Sequence, residues 1–154
     1  MVDLSICKEF VWDMAHMLAG HEGLCANVHG HTYKMLVEVS LKNNSVLSGS
    51  NSSEEGMIMD FSRVKEIVNA AIVQQMDHAF IYWKNSTDLL EHEIAALLKK
   101  HGRKVVEVSF KSTVEEMAMR FFEILNAEFE KHNIVVKKIS VWETPTSSAV
   151  VTND

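Results

Sequence analysis

The chain has 154 residues, 47% of them apolar, which is enough for one domain with a real core. Fifteen Lys and Arg against 21 Asp and Glu leave a net charge of −6, and no basic run is long enough to track a phosphate backbone, which argues against a nucleic-acid partner. No apolar stretch approaches the roughly 20 residues of a membrane span. With only two cysteines, Cys7 and Cys25, and no charged-then-apolar leader, the expectation is a soluble, cytoplasmic protein without a disulfide framework.

From Ser5 to His16 the residues Phe10, Trp12, Met14 and His16 share one parity and Glu9 and Asp13 the other, which predicts a strand whose apolar face ends in a histidine. A linker over Met17 to Val28 contains Gly20 and Gly23. The run that follows sets His31, Tyr33, Met35, Val37, Val39 and Leu41 against Thr32, Lys34, Glu38 and Ser40, a second strand. The two strands most simply pair as an antiparallel hairpin, which brings His16 near His29 and His31.

The connection between the strands ends in Cys25-Ala26-Asn27-Val28-His29-Gly30-His31, a concentration of chemistry beyond what a turn needs. On an extended chain His29 and His31 share a face, and Gly30 between them lets the backbone bend or another chain approach. Three imidazoles from a strand end and a strand start offer zinc three nitrogens and an open fourth position, the catalytic arrangement. A satisfied core histidine at His16 is the alternative, and a structural Cys-plus-three-His site closed by Cys25 is a third reading.

Lys42 to Gly56 is rich in Asn, Ser and Gly, including Ser48-Gly49-Ser50-Asn51-Ser52-Ser53, and reads as a mobile connection. Asp60 or Ser62 caps a helix with Phe61, Val64, Ile67, Val68, Ala71 and Ile72 inward, running to about Gln75. It delivers Asp77-His78, either a charge-balanced helix end or an orienting carboxylate with a proton-transfer imidazole. Leu89 to Lys100 reads as a helix with Leu90, Ile94, Leu97 and Leu98 inward, stopped by His101-Gly102, with His92 and His101 on its surface. Lys104 to Phe110 reads as a strand. A helix then starts at Ser112 or Thr113 with a capping box at Glu115 or Glu116, and runs to about Lys131. Ile134 to Trp142 and Ala149 to Thr152 are strands joined through Glu143-Thr144-Pro145-Thr146. Strand pair, helices, strand pair argues an α+β fold with helices on one face of an antiparallel sheet. The open edges of so small a sheet make an oligomer that closes them plausible.

The series His16, Cys25-x-x-x-His29-Gly30-His31, Asp60-Phe61, Asp77-His78, Thr113-x-Glu115 and Glu143-Thr144 resembles the 6-pyruvoyl tetrahydropterin synthase family over nearly the whole chain. The cysteine spacing is similar to that of the bacterial 6-carboxytetrahydropterin synthase branch of queuosine biosynthesis. The resemblance implies the tunnelling fold, in which three subunits close a β-barrel and two trimers stack as a hexamer. It implies Zn2+ on His16, His29 and His31, and Cys25 as base with Asp77 and His78 as proton-relay partners from a neighbouring subunit. Glu143 would grip the pterin edge, with Thr113 anchoring the ring and Glu115 supporting it. The chain departs from the family pattern at Ser112, Val114 and Glu116. The implied substrate is 7,8-dihydroneopterin triphosphate, converted to 6-carboxy-5,6,7,8-tetrahydropterin, acetaldehyde and triphosphate. Alternatives are a 6-pyruvoyl product, as in biopterin synthesis, and a zinc- or pterin-binding protein without turnover.

Overall fold

The computed structural model describes residues 2–49 and 51–153. Six strands form one sheet in the order β4-β3-β1-β2-β5-β6. β1 (Ile6–His16) and β2 (His29–Leu41) make the expected antiparallel hairpin, in register from Ile6↔Val39 to His16↔His29. β5 (Ile134–Thr144) pairs antiparallel with β2, and β6 (Ser147–Thr152) with β5.

The apolar parity of β1 and β2 places Phe10, Trp12 and Met14 beside Tyr33, Met35, Val37 and Val39 on one buried face. In β5 that parity switches, from Ile134 and Val136 to Ile139 and Val141. The pairing with β2 shifts between Glu38 and Val39, so one extra residue of β5 returns its apolar side chains to the same face.

Two helical segments cover that face. α1 (Phe61–Val68) is capped by Asp60, whose carboxylate accepts from the Ser62 amide at 2.7 Å. It continues through one wide turn, Asn69–Val73, into α2 (Gln74–Met76). Val64, Val68 and Ile72 point inward, whereas Phe61, expected inward, is exposed at the first position of the helix, directly after its Asp60 cap. α4 (Val114–Glu130) buries Met117, Ala118, Phe121, Leu125 and Phe129, and each large side chain contributes about 1.5–3 kcal/mol by leaving water. Thr113 is its cap, its hydroxyl accepting from the Glu116 amide. The Thr113 amide goes instead to the Lys111 carbonyl, so the reciprocal half of a capping box is not made.

The sheet is mixed where the sequence suggested antiparallel pairing throughout. β3 (Ala79–Trp83), a five-residue strand buried over its first four positions, pairs parallel with β1 at Met14 and Ala15. β4 (Val105–Val108) pairs parallel with β3. α3 (Leu89–Lys100), the crossover between them, packs on the opposite face from α1 and α4. Ile81 belongs to the main core, while its neighbours Phe80 and Tyr82 join Met17 and Ala95 in a second cluster. The helices therefore lie on one face apart from α3. Its inner side is also rotated from expectation: Glu91 and Ala95 are buried, and Leu90 and Leu97 are exposed. The cause is a polar contact, the Glu91 carboxylate accepting from the Trp83 amide at 3.0 Å.

The connection over Lys42 to Gly56 is tied at its base by reciprocal main-chain bonds, Leu47 N–H to Met57 and Gly56 N–H to Leu47, both 2.8 Å; Ser50 of its Ser/Gly/Asn run lies outside the described residues. No helix among the described residues is long and apolar enough to cross a membrane.

Candidate metal centre and active site

The three histidines are set by the hairpin register. His16 lies opposite His29, and Met14 opposite His31, so all three side chains continue the row of Trp12 and Tyr33 on the core face. Their ring centroids are 4.6, 4.9 and 5.3 Å apart, and one ligand nitrogen from each lies within 4.8 Å of the others. His16 is fully buried.

Two of the outer nitrogens are anchored. His16 Nδ1 lies 2.9 Å from the Ser112 carbonyl oxygen and 3.2 Å from its hydroxyl, and His29 Nδ1 lies 2.8 Å from the Asn27 carbonyl. A carbonyl only accepts, so each Nδ1 carries the hydrogen and each Nε2 presents a lone pair. These Nε2 atoms face one another at 3.1 Å, a repulsive contact unless a cation lies between them. His31 Nε2 is buried without a hydrogen-bond partner. The donor set therefore fits a metal ion, with three converging imidazoles, two of them held from behind, and a fourth position left to a ligand. Burial first, then the neighbouring His29, pushes His16 down from 6.5 to about 4. Burial also lowers His31, outweighing the attraction of Glu143.

Among the described residues, the histidine group stands without Cys25, which removes the support for a Cys-plus-three-His structural site. Cys25 sits half-buried on a short helical turn, Leu24–Ala26, with its carbonyl accepting from the Leu18 amide at 2.9 Å. Among the described residues, no hydrogen bond joins Cys25 to the Asp77–His78 pair.

Asp77 and His78 form their own unit between α2 and β3, the carboxylate 2.8 Å from His78 Nδ1. His78 adopts a left-handed backbone, φ +60°, uncommon for a residue with a side chain and frequent at functional sites. Asp13 holds this turn from both sides: its carbonyl accepts from the His78 amide at 2.7 Å, and its amide donates to the Asp77 carboxylate at 3.1 Å. Partial burial raises Asp77, but the Asp13 amide, His78 and Lys104 outweigh it and hold the carboxyl below its ordinary value. His78 and His31 open onto one cleft of about 410 Å³, also lined by Asp13, Gly30 and Thr32.

Glu143, near the end of β5, is half-buried with its carboxylate 3.5 Å from His31 Nε2 and 3.7 Å from His16 Nε2. Its other neighbours Trp142, Thr144 and Pro145 line a second cleft with His31 and Lys34. Thr113 uses its hydroxyl as the α4 cap, and Glu115 is exposed in the first turn. Sequence reasoning did not single out the anchoring roles of Ser112, Asn27 and Asp13. Only Ser112 carried a signal, as a small polar residue directly before a helix cap. His92, expected on the surface, is half-buried, held between the Tyr82 hydroxyl and the Ser86 carbonyl.

The 6-pyruvoyl tetrahydropterin synthase family model matches residues 5–154. A 6-carboxy-5,6,7,8-tetrahydropterin synthase of Haemophilus influenzae is 44% identical over 142 residues, covering 92% of this chain and 94% of that protein. The Aquifex aeolicus protein of the same name is 32% identical over 130 residues, covering 81% and 74%. Among solved structures, an uncharacterized protein from Wolinella succinogenes superposes with a TM-score of 0.79 over 100% of both chains at 21% identity. The 6-pyruvoyl tetrahydropterin synthase of Caenorhabditis elegans does so with a TM-score of 0.62 at 20% identity, over 98% and 96%. With sequence match, fold and histidine cluster in agreement, the chain belongs to the 6-pyruvoyl tetrahydropterin synthase family.

Proposed function

We propose that this chain, a single domain over residues 1–154, is a zinc-dependent 6-carboxytetrahydropterin synthase of queuosine biosynthesis. It would convert 7,8-dihydroneopterin triphosphate and one water to 6-carboxy-5,6,7,8-tetrahydropterin, acetaldehyde and triphosphate. The observation that carries this reading is the convergence of His16, His29 and His31, the first two anchored through Nδ1, in a chain whose relatives of high coverage carry that name. Zinc bound there would supply Lewis acidity toward the side-chain oxygens of the substrate.

The chain's own residues divide the remaining work. Cys25 would take the proton from carbon, and the Asp77-oriented His78 would pass protons to and from the side-chain hydroxyls. A left-handed turn holds that imidazole at the cleft where His31 lies. Glu143 would accept paired N–H bonds from the pterin edge, a charge-assisted contact suited to a carboxylate, with Thr113 and Glu115 at the border of the ring site. Among the described residues no hydrogen bond joins Cys25 to the Asp77–His78 pair, which favours a site completed by a neighbouring subunit in a trimer or hexamer, in the cytoplasm.

The test is triphosphate release from the substrate by the wild type and Cys25→Ala. The base role predicts release by the wild type and its loss in the variant, with bound zinc retained. Loss of zinc from the variant would instead make Cys25 a ligand.

A further inference from the structure

Between His78 and Thr113 the chain adds β3 and β4 to one edge of the sheet, with α3 between them, and Lys104, just before β4, lies beside α2. The Lys104 ammonium donates to the carbonyl oxygens of Gln74 at 2.7 Å and Asp77 at 2.6 Å. Gln74 belongs to the last helical turn, whose carbonyls lack partners within the helix and carry the negative end of its dipole. The Asp77 carbonyl belongs to the peptide that leads into left-handed His78. Lys104 is itself steadied, because its own carbonyl accepts from the Phe80 amide at 3.0 Å, two residues beyond that turn.

The strained turn is thus gripped on two sides. Asp13 of β1 binds the His78 amide and the Asp77 carboxylate, and Lys104 binds the two carbonyls. The charged and titratable groups facing Asp77 are His78, Lys104 and Asp13, the last with its carboxylate engaged by the Thr32 hydroxyl.

We propose that Lys104 is a positioning residue for the Asp77–His78 pair, holding through the Gln74 and Asp77 carbonyls the left-handed turn that places the imidazole at the cleft shared with His31. This gives the β3–α3–β4 excursion a part in the site, and it rests on reading Asp77 and His78 as proton-transfer groups.

Lys104→Met and Lys104→Arg test it by two readouts. The first is hydrogen exchange at the His78 amide, which needs no turnover. In Lys104→Met exchange speeds by about tenfold or more, and Lys104→Arg restores most of the protection. The second is the kinetics of triphosphate release. In Lys104→Met kcat falls by about tenfold with KM little changed, and the acid limb of the pH profile moves upward because a cation facing Asp77 is gone. Lys104→Arg recovers both. A lowered melting temperature with His78 exchange and the pH profile unchanged would overturn the positioning role. Absence of turnover in the wild type would overturn the relay on which the proposal rests, and the exchange data would still show whether Lys104 holds the turn.

Discussion

The Nε2 atoms of His16 and His29 face each other at 3.1 Å, while the Nδ1 atom of each donates to a main-chain carbonyl. Two lone pairs so placed favour a cation between them. The protein is therefore expected to bind one zinc ion per chain, and to melt at lower temperature once it is chelated. At an ion concentration 100 times the Kd the gain is about 2.7 kcal/mol. His29→Ala should abolish both the ion and the chelator effect, read by metal analysis and thermal melts.

Stripped of metal, the protein should lose stability in mild acid. Burial and His29 hold His16 at about 4 against an ordinary 6.5. The unfolded chain then binds the proton more readily, so stability falls as pH drops through 6.5 and levels off near 4. The shift amounts to roughly 3 kcal/mol. Urea melts of chelated protein across this window should show that slope, and His16→Gln should flatten it.

Gly30 tests how tightly the three histidines are placed. A Cβ there would lie 3.1 Å from the Met14 carbonyl oxygen, part of β1 and tied into the sheet. Gly30→Ala must push β1 from β2 between His29 and His31. The expected result is a loss of about 1–3 kcal/mol in stability and weaker zinc binding, although all three imidazoles remain. Calorimetric titration of the ion checks it.

Glu143 carries the proposed grip on the pterin. Glu143→Gln should raise KM by about 10- to 100-fold, the loss of a charged hydrogen bond worth about 1.5–3 kcal/mol, while the three histidines keep the ion. Unchanged KM with loss of the ion would place the carboxylate's role at the metal instead.

The histidine cluster was legible because strand parity and one hairpin suffice to bring His16, His29 and His31 together. What held it was not legible: Ser112 is 96 residues from His16 along the chain, and its main contact is a carbonyl that any residue type could offer. β3 escaped notice because Ala79 to Trp83 is short and buried on both faces, so it shows no alternation. α3 was placed on the wrong inner side because Leu90 and Leu97 mark an apolar stripe, whereas Glu91 turns inward to serve the Trp83 amide. The left-handed turn at His78 carried no glycine to announce it. Its conformation is imposed by Asp13, reached across 64 residues.

The most direct test of the central claim is mass spectrometry of the products formed from 7,8-dihydroneopterin triphosphate by zinc-replete protein. The account predicts 6-carboxy-5,6,7,8-tetrahydropterin together with acetaldehyde. A 6-pyruvoyl product, or substrate left intact, would contradict it.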